Sequence, residues 1–319
     1  MGFSIVGHGI AVPEGIETTE TVSARLGCVA VEVERRSGVF SRHVANPTDD
    51  VAVMGAEACR QATNGGREPD LIISASAGVR QALPDSSIFI SRALGYEGIP
   101  SFSINASCIS FLVALRCATS LQVSGAFRRI LLVSAEFCTR ARNAGEPESY
   151  ALLGDGAAAV MIEPDSGGAE IVHFELSTWP SGAELTEIRG CGVRRHPQDH
   201  STTAEDNLFH MDGPGVLKRA ALKMGRYLRS LDENVMRLDQ IDVVIPHQMS
   251  GAGLELLKRA GFREGSVVDI VGRYGNCAAA SIPMALATAI DEGRLRKGCH
   301  VLMLGTAAGL SVGGMLLRW

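Results

Sequence analysis

One pattern recurs along the chain at a nearly constant interval and constrains the fold more than any other feature. The apolar segment 70–73 recurs at 242–245, an offset of 172 residues. The helical segment around Leu115 recurs around Leu286, and the apolar segment 129–133 recurs at 300–304, each with an offset of 171 residues. This agreement indicates two similar halves. We expect the halves to pack together and to contribute loops to one shared cleft.

The order of the predicted elements sets the fold class and the domain boundary. Strands and helices alternate throughout the 319 residues, which predicts an α/β architecture. The segment 164–168, Pro-Asp-Ser-Gly-Gly, is the clearest interruption of that alternation. We therefore assign residues 1–164 to an N-terminal half and residues 165–319 to a C-terminal half.

A cysteine lies between a short strand and a helix in the first half. Phe102 and Ile104 have the character of a strand, small polar residues follow, and an apolar helical pattern begins at Phe111. This predicts a strand, a tight turn and a helix, with Cys108 in the turn. The positive end of the helix dipole favours the thiolate of a cysteine placed there. The alternative is a buried cysteine that acts only as a small hydrophobic residue.

The second half places a histidine and an asparagine at comparable positions. The apolar segment that ends at Pro246 runs directly into His247, and the next strand–turn–helix junction carries Asn276. Cys108, His247 and Asn276 would then all lie at strand ends, where open α/β sheets bind ligands. This arrangement favours a nucleophilic active site over three separate structural roles.

Charge and cysteine spacing exclude several classes of function. The net charge of -5 provides no basic surface, so we expect no nucleic-acid partner. The eight cysteines include no CxxC pair, which predicts neither a disulfide framework nor a zinc site. The N-terminus lacks the basic region of a signal peptide, and no apolar run approaches the roughly 18 residues of a membrane span. We expect a cytoplasmic protein without a membrane partner.

Over essentially its whole length the chain resembles the β-ketoacyl-acyl-carrier-protein synthase III family of the thiolase superfamily. The resemblance implies a thiolase-like fold in which two similar halves form five layers, α-β-α-β-α. The motifs that carry it occur in the order of the family: Arg36-Ser37-Gly38-Val39, Ala106-Ser107-Cys108-Ile109-Ser110-Phe111, Gly154-Asp155-Gly156-Ala157-Ala158, Pro246-His247-Gln248, the segment 275–283 and the segment 309–319.

The resemblance also implies a reaction. Cys108 would attack an acyl thioester and hold the acyl group, while backbone N–H groups of Cys108 and Ala308 form an oxyanion hole. His247 and Asn276 would donate hydrogen bonds to the carbonyl oxygen of a malonyl thioester as carbon dioxide leaves. The resulting enolate would attack the acyl-cysteine. No metal or redox cofactor is implied.

Further positions follow from the same resemblance. The loop 78–86 would shape the acyl pocket across the interface of a homodimer, with Leu83 at its end. The acyl group would come from acyl-CoA or another acyl thioester, and acyl carrier protein would dock on Lys218 or Lys258. The remaining substrate-binding positions are Arg36, Arg80, Arg142, Thr306 and Gly309.

Two arginines suggest an unusual acyl primer. Arg80 and Arg142 could pair with the distal carboxylate of a dicarboxylic primer, as in relatives that make a pimeloyl-type chain for biotin. The structural alternative is that they are ordinary surface arginines. For Arg35 and Arg36 the structural alternative is a basic turn.

The chain departs from the family pattern near the coenzyme A site. Glu32 stands where the family often has a tryptophan that stacks on adenine. Thr306 stands at the position of the phenylalanine beside the decarboxylation site, and Ser250 replaces the asparagine of the His-Gln-Ala-Asn motif. These departures concern recognition of the primer and, to a lesser degree, decarboxylation.

Two alternative functions remain open at this point. An acyltransferase of the same family would pass the acyl group to a hydroxyl or an amine, with His247 as general base. The other alternative is a non-enzymatic protein or a dehydrogenase, and the dehydrogenase is suggested formally by the segment 154–159, which fits a dinucleotide fingerprint. That fingerprint requires a helix after the glycines, whereas a strand-like segment, 160–162, follows here.

Overall fold

The structure is a computed structural model that describes residues 2–319, apart from the side chain of Arg36. Its strands are β1 (Phe3–Ala11), β2 (Gly15–Thr18), β3 (Ser41–Val44), β4 (Leu71–Ser74), β5 (Ser101–Ser103), β6 (Ile130–Phe137), β7 (Asp155–Pro164), β8 (Glu170–Gly182), β9 (Thr186–Glu187), β10 (His210–Met211), β11 (Val243–Pro246), β12 (His300–Ala307) and β13 (Gly309–Arg318). Its α-helices are α1 (Thr19–Leu26), α2 (Ala30–Ser37), α3 (Val51–Thr63), α4 (Ser86–Leu94), α5 (Ser110–Val123), α6 (Pro147–Leu152), α7 (Gly213–Asn234), α8 (Gly251–Lys258), α9 (Val271–Tyr274) and α10 (Ser281–Asp291).

Capping residues explain where several helices begin and end. Asp50 Oδ1 accepts the backbone N–H of Ala52 at 2.9 Å and so caps α3. Asp85 Oδ1 accepts the N–H of Ser87 at 2.9 Å at the start of α4. This helix stops at Gly95, whose φ of 77° lies in the left-handed region that glycine adopts without strain.

The first sheet has the strand order β1-β7-β6-β4-β5. Strands β5 and β6 run parallel to β4, β7 is antiparallel to β6, and β1 is antiparallel to β7. Every residue of β4 is buried, as its continuous apolar sequence predicts for a central strand covered on both faces. The segment 154–159 enters strand β7 rather than a helix, which contradicts the dinucleotide fingerprint.

The second sheet repeats this topology in the order β11-β12-β13-β8. Strand β11 is parallel to β12, β13 is antiparallel to β12, and β8 is antiparallel to β13. On the other edge of β11, Val267 forms a parallel bridge with Val244, in the position that β5 takes beside β4. The predicted repetition of the two halves is therefore visible strand by strand.

Three layers of helices enclose the two sheets. Helices α5 and α10 form the central layer, since Phe111 and Leu286 share one core with Ile73 of the first sheet and Met303 of the second. Helices α3 and α4 cover the outer face of the first sheet. Helix α7 and part of α8 cover the outer face of the second. The order α-β-α-β-α confirms the predicted thiolase-like arrangement.

The sheets also bear on the proposed domain boundary. The strands of the first sheet lie between residues 3 and 164, and those of the second between residues 170 and 318. This distribution supports the division at residues 164 and 165, which we retain as a proposal. Among residues 2–319, no helix combines the length and the apolar character that crossing a membrane demands.

Two local features depend on glycines. Strand β1 continues through Gly7 and Gly9 to Ala11, and these glycines lie flat against α3, where a Cβ would overlap the helix. The segment from Arg35 to Ser37 was expected to form a turn but is the last turn of α2. That helix ends one residue later, at Gly38, with a φ of 73°.

Candidate active site

Cys108 lies in the turn between β5 and α5, as predicted. The side chain of Asn105 accepts the N–H of Ser107 at 2.9 Å, and Ser107 adopts a φ of 53°, which is unusual for a residue with a side chain. Ser110 Oγ accepts the N–H of Ala106 at 2.9 Å and donates to the carbonyl of Ser107 at 2.6 Å. These bonds hold Cys108 immediately before the first turn of α5.

The electrostatics of Cys108 differ from the expectation. Burial, and then the nearby Glu136 carboxylate, raise the pKa of the thiol to about 11. The backbone N–H groups of Ala308 and of Cys108 itself hydrogen-bond the sulfur and lower the pKa, but by less. The predicted preference for the thiolate is therefore wrong for the resting protein, because loss of solvation outweighs the favourable dipoles. The same two N–H groups were predicted to form the oxyanion hole.

His247 follows β11 and reaches the same region. Its backbone N–H donates to the carbonyl of Leu304 at 2.8 Å, which extends the pairing of β11 with β12 by one residue. The side chain is buried, and burial lowers the pKa of the imidazole to about 4, so the ring is neutral at pH 7. Within residues 2–319, Nδ1 has no hydrogen-bond partner.

A glycine on β12 brings His247 next to the Cys108 turn. A Cβ built on Gly305 would lie 2.8 Å from the Cβ of His247 and 3.0 Å from Cγ2 of Ile109. Ile109 directly follows Cys108 in the chain. Only a residue without a side chain therefore allows the two segments to approach from the two halves.

Asn276 is anchored beside the loop that carries His247. Its side-chain Nδ2 donates to the carbonyl of Met249 at 3.3 Å, and its Oδ1 accepts the N–H of Ala278 at 2.9 Å. Its backbone joins the halves, since its N–H donates to Leu152 O at 2.8 Å and its carbonyl accepts the N–H of Gly154 at 3.1 Å. The structure thus brings the three predicted residues to one region between the halves.

The turns that carry Cys108 and Asn276 are built by the same hydrogen bonds. In each, an asparagine side chain accepts the N–H two residues later, a serine hydroxyl accepts an N–H four residues earlier, and one residue between them has a positive φ. The corresponding residues, always 171 positions apart, are Asn105 and Asn276, Ala106 and Cys277, Ser107 and Ala278, and Ser110 and Ser281. On this offset, Ala279 takes the place of Cys108.

The arginines proposed for a dicarboxylic primer are already paired. The Arg80 guanidinium binds the Asp50 carboxylate through Nε at 3.0 Å and Nη2 at 2.7 Å. The buried Arg142 bonds to Glu17 and to the carbonyl of Leu153, both at 2.6 Å. Each positive charge is compensated within the chain, which argues against a role of these arginines in binding the distal carboxylate of a primer. The side chain of Arg36 lies outside the described part of the chain.

The remaining predicted substrate-binding positions fall in two places. Thr306 and Gly309 lie within two residues of Ala308, at the junction of β12 and β13 that approaches Cys108. Leu83 is 83% exposed on the loop between β4 and α4.

The two lysines differ in their surroundings. Lys218 is exposed on α7, whereas the Lys258 ammonium bonds to Glu255 and Asp269, each at 2.8 Å. This pairing makes Lys218 the better candidate for carrier-protein docking. No group of three possible metal ligands was found among residues 2–319.

Known proteins are similar to this chain in sequence over most of its length. Residues 102–180 match the family model of 3-oxoacyl-[acyl-carrier-protein] synthase III, and residues 231–319 match the model of its C-terminal part. A β-ketoacyl-[acyl-carrier-protein] synthase III of Solibacter usitatus is 31% identical over 300 residues, which are 90% of this chain and 89% of the relative.

Solved structures extend the similarity to the fold. A 3-oxoacyl-[acyl-carrier-protein] synthase III from Aquifex aeolicus VF5 has a TM-score of 0.88 and 26% identity over the whole of both chains. The priming β-ketosynthase of the R1128 polyketide pathway has a TM-score of 0.90 and 25% identity over 99% of this chain and 96% of that one. The chain therefore belongs to the 3-oxoacyl-acyl-carrier-protein synthase III family, also called the β-ketoacyl-acyl-carrier-protein synthase III family.

Proposed function

We propose that this protein loads an acyl group from an acyl thioester onto Cys108 and joins it to a malonyl group carried by acyl carrier protein, releasing carbon dioxide. Membership of a family of condensing synthases supports this class of reaction. The observation that carries the proposal for this chain is the meeting of Cys108, His247 and Asn276, with two backbone N–H groups at the sulfur.

The first step is acylation of Cys108. The sulfur attacks the thioester carbonyl, and neutral His247 has a lone pair that can take the thiol proton. The N–H groups of Cys108 and Ala308 stabilise the oxyanion that forms. When the bond to the donor sulfur breaks, His247 passes that proton to the donor sulfur, and the donor leaves as a thiol.

The second step is formation of an enolate. Asn276 Nδ2 carries two hydrogens, and only one is engaged by the carbonyl of Met249. The other can bond the malonyl thioester oxygen, together with an N–H of the neutral His247 ring. These donors stabilise negative charge on that oxygen as carbon dioxide leaves. The enolate carbon then attacks the acyl carbonyl and displaces the Cys108 thiolate, which takes up a proton from water to restore the resting thiol.

The alternative, transfer of the acyl group to a hydroxyl or an amine, is not favoured by the similarities, since the relatives quoted above are named as synthases of the condensing type. In the condensing reaction the protein is an acyltransferase whose acceptor is a carbon atom. No step proposed here uses a metal or a redox cofactor.

We also propose acyl-CoA as acyl donor and a homodimer as the active form. Strand β5 is the edge of the first sheet, and its free edge can pair with a second copy. Exposed apolar side chains surround this edge, which favours its burial in an interface. They are Val79, Leu83, Ile88 and Phe102. Cytoplasmic localisation stays a prediction.

Intact-protein mass spectrometry with a panel of acyl-CoAs tests the proposal. Wild type should gain the mass of one acyl group, and malonyl-acyl-carrier protein should remove it with formation of a β-ketoacyl product. The variant C108A should gain no mass, whereas C28A, which removes an exposed cysteine, should behave as wild type. An adduct that only an alcohol or an amine discharges would favour the alternative acyltransferase, and no adduct from any donor would contradict both.

A further inference from the structure

Glu136 is a buried carboxylate that the proposed chemistry does not use. It is the penultimate residue of β6 and is only 4% exposed. Its Oε1 accepts the N–H of Ala77 at 2.5 Å, and its Oε2 accepts the N–H of Gly78 at 3.1 Å. The backbone N–H of Ala279, from the second half, also acts on this carboxylate and favours its ionised form. Two backbone hydrogen bonds and a third N–H directed at one buried side chain indicate a site organised around an anion.

The internal repeat relates the surroundings of Glu136 to the predicted oxyanion hole at Cys108. Ala279 is the counterpart of Cys108, so its N–H corresponds to an N–H that we place in the oxyanion hole. On the same offset of 171 residues, Glu136 corresponds to Ala307 on β12. The Cys108 turn carries the nucleophile, and the strand end opposite it presents the small Ala307. The Asn276 turn has Ala279 instead of a nucleophile, and the strand end opposite it presents the Glu136 carboxylate to the Ala279 N–H.

Glu136 also connects the two turns. The N–H of Ala77 bonds to Glu136, and the carbonyl of Ala77 accepts Asn105 Nδ2 at 3.0 Å. Asn105 begins the Cys108 turn. At the other end, Ala279 follows Ala278, the residue whose N–H is held by Asn276. Glu136 is thus hydrogen-bonded to the residue that holds the Cys108 turn, and it interacts electrostatically with the N–H of Ala279 in the Asn276 turn.

We propose that Glu136 is a positioning residue: its carboxylate fills the second half's copy of the oxyanion turn, holds the Cys108 and Asn276 turns together, and disfavours negative charge on Cys108. The part that concerns condensation rests on the proposed function. The part that concerns the charge of the thiol does not. Glu136 contacts no reacting atom and acts through the two turns.

The charges around Glu136 are consistent with this role. Burial, and to a smaller degree the Asp155 carboxylate, raise the pKa of Glu136 to about 7, so it is ionised at pH 8 and above. The thiols of Cys108, Cys138 and Cys277 lie within electrostatic range. Burial raises the pKa of Cys138 and of Cys277 far above the usual range, so both stay protonated. Cys108 is therefore the thiol that should report a change at Glu136.

Alkylation of Cys108 by iodoacetamide between pH 7 and pH 11, quantified on the Cys108 peptide, tests the electrostatic part. Removing a charge near a titrating group shifts its pKa by about one unit or more. We expect E136Q to lower the apparent pKa of Cys108 accordingly and to raise alkylation at pH 8 about tenfold. The matched control E57Q, which neutralises an exposed carboxylate on α3, should leave the profile unchanged. Coincident profiles for E136Q and wild type would overturn the proposal.

The variant E136D tests positioning separately, because it keeps the charge but withdraws the carboxylate by one methylene. Its alkylation profile should stay near that of wild type, while condensation should fall at least tenfold with acylation of Cys108 retained. Full condensation activity in E136D would contradict the positioning role. If wild type accepts no acyl group, the proposed function fails, yet the alkylation profiles still decide the effect of Glu136 on the thiol. If E136Q fails to fold, the pH profile of Cys108 alkylation in E136D and the condensation rate of that variant test the proposal.

Discussion

The meeting of the two halves at Gly305 makes G305A the most informative single substitution. The added Cβ would lie 2.8 Å from the Cβ of His247 and 3.0 Å from Cγ2 of Ile109. Non-bonded carbon atoms rest about 3.5–4.0 Å apart, so the two side chains must move by ~1 Å in total. Overpacking of this kind lowers the free energy of unfolding by about 1–3 kcal/mol. A shift of ~1 Å in a catalytic group lowers the rate about 100-fold.

Urea unfolding and the rate of condensation measure the two effects. The matched control is G225A on α7, where an added Cβ meets nothing within 4 Å. In a helix this change should stabilise by up to about 1 kcal/mol and leave the rate unchanged. A G305A protein with the stability and rate of wild type would refute the inference that His247 and the Cys108 turn meet at Gly305.

Three other perturbations follow from named contacts. N276A should still be acylated at Cys108 but should condense about 100- to 1,000-fold more slowly, since one donor to the enolate oxygen is lost. Intact-protein mass reports the acylation, and formation of the β-ketoacyl product reports the condensation. R142A should lower the free energy of unfolding by about 3 kcal/mol in urea, because Glu17 keeps only the more exposed Arg25, and should leave the preference between mono- and dicarboxylic primers unchanged. His247, with a pKa of about 4 when folded and 6.5 as reference, contributes stability above pH 6.5 that is lost as the pH falls towards 4. Glu136, with a pKa of about 7 against 4.5, contributes stability below pH 4.5 that is lost as the pH rises towards 7. Each variant removes one of the two contributions and leaves the other. Urea unfolding between pH 4 and pH 7 should therefore show that the free energy of unfolding of E136Q falls towards low pH and that of H247N falls towards high pH. Each change should be up to ~1.4 kcal/mol per pH unit. A wild-type condensation rate in N276A would contradict the role of Asn276, and wild-type stability of R142A would contradict the importance of its pair with Glu17. The same pH dependence of unfolding in E136Q and H247N would contradict the burial of these two groups.

The positions of Cys108, His247 and Asn276 were predictable because their signals are local. A strand, a short polar segment and an apolar helix define each turn, and the internal offset relates one half to the other. Applied residue by residue, the same offset could also have paired Cys108 with Ala279 and Asn105 with Asn276. At the level of the sequence pattern the two turns correspond only as whole segments, and the hydrogen bonds identify the individual residue pairs.

Properties that depend on distant partners were not predictable. The dipole of α5 alone suggested an acidic thiol, but the pKa of Cys108 follows burial and a carboxylate on β6. The sequence suggested Arg142 as a ligand for a primer carboxylate, whereas in the structure it pairs with Glu17, 125 positions earlier in the chain. Burial and pairing of this kind exist only after the halves have packed, so the sequence carries no local signal for them.

The stoichiometry of carbon dioxide release tests the central claim most directly. Acylated wild-type protein is mixed with malonyl-acyl-carrier protein labelled with ¹³C in the free carboxyl group, and labelled carbon dioxide, β-ketoacyl product and residual acyl-enzyme are measured together. Decarboxylative condensation predicts one labelled carbon dioxide and one β-ketoacyl product for each acyl group lost from Cys108. Loss of the acyl group without labelled carbon dioxide, or carbon dioxide release without β-ketoacyl product, would contradict it.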